Sequence, residues 1–227
     1  MVERLVPRIR AFYGTYLPVG DRLGEMFYAV WMAVVSLGVL GSTELDKGAI
    51  AYAIFIAFSV NMTWGLVDGI SVMHTNVINR ARNEQMVYDL RSRNDRSSRA
   101  TASSSLDGSV TSSLGDMDRE KVLDLIAAGP PGDDPVKKRY YPGQEDGYYA
   151  LGIFAIDTVL VIPLVAPLFI WADPAQAIYA SRLVATVLFA ILGAAYARNL
   201  HRRKWLAALF LGTLCFSIFS LAFLAGW

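Results

Sequence analysis

Two carboxylates, Glu25 and Asp68, lie in the stretches "GEMFYAVWMAVVSLGVLG" (24–41) and "NMTWGLVDGISVMHTNVINRAR" (61–82), where most neighbours are apolar. On a helix, positions seven apart nearly eclipse. Asn61, Asp68 and Thr75 therefore share one stripe, flanked by Trp64 and Asn76, while Glu25, Met32 and Ser36 share another. Two carboxylates, a carbonyl from Asn61 or Asn76 and the softer thioether of Met32 suit Fe2+ or Mn2+ better than Zn2+. An ionisable group facing lipid is expensive, so Asp68 is expected to face a bundle interior or a wet cavity. In the structural alternative Asp68 accepts hydrogen bonds from Trp64 or Asn61 of a neighbouring helix, and Glu25 caps the first apolar helix or sits among headgroups. His74 reads as a solvated or hydrogen-bonded interfacial histidine. Gly65 and Gly69 read as a close helix contact.

Enzymatic chemistry finds no purchase. The chain has no P-loop, no G-x-S-x-G and no H-E-x-x-H, and its two histidines, His74 and His201, are too few for the usual hydrolytic metal sites. Neither an enzyme nor a permanently bound cofactor is expected. The single cysteine, Cys215, excludes an intrachain disulfide and reads as a packing residue.

The elements that must position these residues follow from composition: 54% of the 227 residues are hydrophobic, 18% are charged, and mean hydropathy is +0.37. A helix crossing a bilayer needs about 20 mostly apolar residues, and five runs qualify or nearly do: 26–41, 48–67, 147–172, 174–197 and 205–227. The first is short and borrows Gly24 and Glu25 at its mouth. None alternates with period two, which excludes barrel strands. The expected fold is an all-α integral membrane protein with five transmembrane helices.

Lys and Arg set the orientation. With five crossings, 19 of the 21 fall on one side: before the first span, between the second and third, and between the fourth and fifth. The N-terminus is thus expected in the cytoplasm and the C-terminus outside, in a plasma (inner) membrane. A net charge of +1 gives no reason to expect nucleic acid. Asp157 and Arg182 invite pairing across the third and fourth spans, but their depths disagree and Arg182 is expected to snorkel outward. Pro163 and Pro167 are expected to bend the third span.

The chain divides into an interfacial amphipathic segment (1–24), helices one and two (25–79), a long cytoplasmic insert (80–146) and helices three to five (147–227). Leu5, Ile9, Phe12 and Tyr16 give the first segment its apolar face. In the insert, "ARNEQMVYDLRSR" continues the second helix into water, and the serine-rich stretch from Arg96 to Ser113 is expected to be disordered. The short helix bearing Val122, Leu123, Leu125 and Ile126 is expected to dock on the membrane or on a partner. "KKRYYPGQEDGYY" reads as an interface anchor.

With its N-x-x-W-G-x-x-D stretch at 61–68, the pair of first spans resembles the vacuolar iron transporter family, in particular its small bacterial-type members. The resemblance covers all five spans in outline, and the second-span motif carries its specificity. It implies a homodimer, joined through helices one and two, that exports Fe2+ or Mn2+ from the cytosol in exchange for protons. Met32 stands where the family carries an aspartate and Asn76 where it carries a glutamate, whereas Asp68, Gly69 and Ser71 match. The resemblance thus implies a site drawn from Glu25, Met32, Asn61, Asp68 and Asn76.

Overall fold

A computed structural model describes residues 2–38, 47–106, 110–130 and 132–224, and among these every regular element is helical. In chain order the helices are α1 (Val2–Tyr16), α2 (Val19–Gly38), α3 (Lys47–Ser92), α4 (Arg96–Leu106), α5 (Asp116–Ala127), α6 (Gln144–Val159), α7 (Val161–Ile170), α8 (Pro174–Asn199) and α9 (Lys204–Leu224). Three stretches, Gly48–Ser92, Gln144–Ile170 and Pro174–Asn199, are long and apolar enough to cross a membrane, and Lys204–Ile218 is a shorter apolar helix. The chain forms two compact units, Met1–Val72 with Gln144–Trp227, and Met73–Gly143.

In the first unit a second helix starts before residue 24. Pro18 stops α1, and α2 begins at Val19. Glu25 therefore lies well inside a helix, not at its mouth. The end of the first span at Gly41 lies outside the described residues. α1 is helical as expected, but its aromatic face packs against protein: Phe12 and Tyr16 meet Tyr148 of α6, and Leu17 is buried beside Gly152. The third apolar run is two helices. Pro163 offers no N–H to the Val159 carbonyl and its ring crowds that carbonyl, so the chain breaks at Leu160 before α7 starts.

The core of this unit joins α2, α3, α7, α8 and α9, with Val30, Ala57, Leu164 and Phe189 buried and Phe27 and Trp31 set edge-on to Phe189. Cys215 is buried in it, as a packing residue should be. The turn between α8 and α9 is a Schellman motif: His201 adopts a left-handed φ of 53°, and the Arg202 N–H donates to the Ala197 carbonyl at 2.8 Å. That reversal lays α9 back along α8, where Gly193 admits the backbone of Ala207. Large apolar side chains such as Phe55, Leu66, Val187 and Phe210 remain exposed, a surface suited to lipid.

In the second unit the end of α3, as expected, continues as helix to Ser92, where Asn94 turns the chain with a left-handed φ of 46°. The serine-rich stretch, expected to be disordered, instead holds α4. Asp95 caps it, accepting from the Ser98 N–H at 2.7 Å, and Thr101, Ser104 and Ser105 satisfy their hydroxyls on carbonyls one turn back. Arg99 then bridges to Glu120 and Asp124 of α5. The two helices bury Ala102 and Leu123 against Leu90 of α3. α5 thus docks within its own unit, while Met117 and Leu125 of its apolar residues stay largely exposed. Arg91 completes the arrangement by donating to the Ile126 and Pro130 carbonyls at the end of α5, over Gly129. The tyrosine-rich segment before α6 is also tied down: Lys138 and Tyr140 both bond Glu84, at 2.7 and 2.9 Å.

The α4 cap makes this unit acid-sensitive. The Ser98 N–H holds the Asp95 carboxyl below the usual carboxylate range. Its stabilising contribution is therefore present above the unfolded value near 3.9 and is lost as pH falls through the lower folded value. Asp95→Asn keeps a capping oxygen but cannot titrate. Below about pH 4, an acid protease is expected to cleave residues 96–130 of the wild type faster, relative to the variant at the same pH, than it does at pH 5.

Candidate functional site

The α3 face turned into the first unit carries Ala53, Ala57, Asn61, Gly65 and Gly69 at four-residue spacing, all buried. Because these residues are small, α6 approaches closely: a Cβ added at Gly65 would lie 3.0 Å from the Phe154 Cα, and one at Gly69 3.0 Å from the Ala150 carbonyl oxygen. The expected role of this glycine pair in packing is thereby met. Asp68 sits between the two glycines, half-buried.

Across from it, α2 presents Glu25. The Glu25 and Asp68 carboxyl groups come within hydrogen-bonding reach of one another, and Asp21, one turn earlier on α2, adds a third negative field. Asp21 itself accepts a hydrogen bond from the Tyr149 hydroxyl of α6. From the same α6, Asp157 enters the α3 contact fully buried, its Oδ2 2.9 Å from where a Gly65 Cβ would stand, and the fields of Glu25 and Asp68 both reach it. Neither Asp157 oxygen nor Glu25 Oε2 has a hydrogen-bond partner. Like charges this close in a poorly polarisable bundle repel strongly, so the arrangement calls for protons or a bound cation to offset them.

The structure thus unites Glu25 and Asp68 but spreads the remaining residues of the five-member set. Met32 is half-buried two turns beyond Glu25, its carbonyl accepting from the Ser36 hydroxyl at 2.8 Å. Asn61 is buried two turns before Asp68 and donates to the Ala57 carbonyl at 2.9 Å. Asn76 falls in the second unit. Among the described residues no three His, Cys, Asp or Glu side chains gather closely enough to hold a metal. Asp157, whose depth in the sequence already disagreed with pairing to Arg182, lies within the electrostatic reach of Glu25 and Asp68. The signal for that was present: an acid and a glycine pair, each alone in an apolar run, mark a helix contact with a polar point in it.

The described residues form an all-helical fold with three stretches long and apolar enough to cross a membrane and with carboxyl groups of three helices within electrostatic reach of one another. Compared with known proteins, the chain matches no family model, no curated protein and no solved structure.

Proposed function

We propose that the chain is a transporter-like membrane protein that takes a divalent transition metal, Fe2+ or Mn2+, as cargo and exchanges it for protons at Glu25 and Asp68. The observation that carries this reading is the meeting of those two carboxyl groups between apolar helices. Hard oxygen donors suit either cargo, and each proton released to water leaves a negative site for the metal. Supporting it are the resemblance of the two first spans to the vacuolar iron transporter family and the lopsided Lys and Arg distribution. In this reading α2, α3, α6 with α7, α8 and α9 make five crossings, with the N-terminus and insert in the cytoplasm and the C-terminus outside, at the plasma (inner) membrane. A homodimer joined through α2 and α3 would supply the further ligands that one chain does not gather; Tyr52 and Phe55, exposed on α3, offer it an apolar surface.

A second reading, a non-transporting dimeric scaffold or regulatory protein, is favoured by Met32 and Asn76 standing where the family has acids. Asp68→Asn separates the two in liposomes loaded with a metal-sensitive dye. A transporter loses flux by about tenfold or more, together with the coupled proton movement, while its assembly state is unchanged. A wild type without flux, whose assembly fails in Asp68→Asn, would establish the scaffold instead.

A further inference from the structure

Asp157 and Asn61 are the two most deeply buried polar side chains of the first unit, at 0% and 1% exposure. Both carry oxygens without a hydrogen-bond partner: Oδ1 and Oδ2 of Asp157, and Oδ1 of Asn61, whose amide nitrogen is already committed to Ala57. Gly65 follows Asn61 by one turn on the same buried stripe, and Asp157 Oδ2 lies against it. Along α3, Asn61 therefore lies about one helical turn, roughly 6 Å, from the Gly65 position that Asp157 Oδ2 touches. All three oxygens are acceptors, and the titratable groups acting on Asp157, Glu25 from α2 and Asp68 from α3, are acids. Asp21 reinforces Glu25 from behind, and Tyr149, the other titratable group on this face of α6, spends its hydroxyl on Asp21.

Buried acceptors without donors, in a field of negative charge, are what a small hard cation binds to. We infer that Asp157 and Asn61 form a second buried site, distinct from the Glu25–Asp68 pair, for a small monovalent hard cation, Na+. One carboxylate with one amide oxygen matches a single positive charge and leaves a divalent metal undercompensated. The role of coupling ion rests on the transporter reading; the binding does not.

The test is thermal melting of the purified protein in detergent, across about pH 5 to 9, in sodium chloride and in choline chloride. A ligand that favours the folded state raises the melting temperature. A rise of roughly 3 °C or more with Na+ at alkaline pH identifies sodium. A rise only on acidification, equal in both salts, overturns the sodium site. Asp157→Asn is expected to abolish the sodium response. A response unchanged in Asp157→Asn overturns the proposal. Should that variant not fold, infrared difference spectra of the wild type at alkaline pH decide: a buried carboxylate band that shifts on exchanging choline for Na+ supports the site, and an unchanged band overturns it. A persisting Asp157 response in a protein without metal flux would sink the transporter reading alone.

Discussion

Gly193→Leu is expected to lower the melting temperature of the protein more than any substitution on its lipid-facing surface. A Cβ at Gly193 would lie 2.6 Å from the Ala207 carbonyl oxygen and 3.0 Å from both its carbon and Leu211 Cδ1. The nearest obstacle is backbone, so no rotamer change relieves it, and α9 must move off α8. Helices in lipid gain little from hydrophobic burial and depend on close van der Waals contact, which makes a wedge at this seam costly. Overpacking of this kind costs about 1–3 kcal/mol, and in a chain of this size each kcal/mol moves the midpoint by roughly 2–4 °C. Gly24→Ala is the control. Nothing lies within 4 Å of a Cβ there, so alanine is expected to stabilise α2 by about 0.5–1 kcal/mol through reduced backbone entropy. Equal melting temperatures for Gly193→Leu and Gly24→Ala would mean that α8 and α9 do not pack through Gly193.

Gly65→Ala is the second substitution with a large expected effect, and its consequences reach the carboxyl cluster. The added methyl would meet Asp157 Oδ2 at 2.9 Å, Asp157 Cβ at 3.0 Å and the Phe154 Cα at 3.0 Å. The carboxylate can rotate, but the Phe154 backbone yields only if α6 shifts away from α3. A loss of about 1–3 kcal/mol is expected from the packing alone. Because α6 carries Asp157, the shift also pulls that acid away from Glu25 and Asp68. In the liposome assay the variant is therefore expected to lose flux even under conditions where it remains folded. Gly69→Ala meets Ala150 at 3.0–3.1 Å, two turns from Asp157 on α6; it should cost similar stability while displacing Asp157 less. Identical flux in the two variants would detach Asp157 from transport.

The helices were largely legible in the sequence because length and apolarity are local properties. Uninterrupted helix from Lys47 to Ser92, helix from Pro174 onward and a buried Cys215 all follow from composition and the absence of breakers. The start of α2 was harder to place. Asp21, Arg22 and Glu25 look like the polar mouth of a span, yet Pro18 resets the helix at Val19 and carries these charges inside it. Low complexity misled at α4, where a polar run is ordered through one cap at Asp95, one ion bridge at Arg99 and one small contact at Ala102. Each of those partners is distant in sequence or depends on geometry that composition does not record.

The candidate site divides along the same line. By itself the sequence determined that acids occur in apolar helices, that Asn61, Asp68 and the glycine pair share faces of one of them, and that cations crowd one set of loops. Those are consequences of helical periodicity and of the cost of burying charge, and they need no neighbour. Only the tertiary structure decided that Glu25 meets Asp68 and that Asp157 enters against Gly65, within reach of their fields. Which helices touch depends on how small residues on different helices interlock, and that is a property of pairs of surfaces.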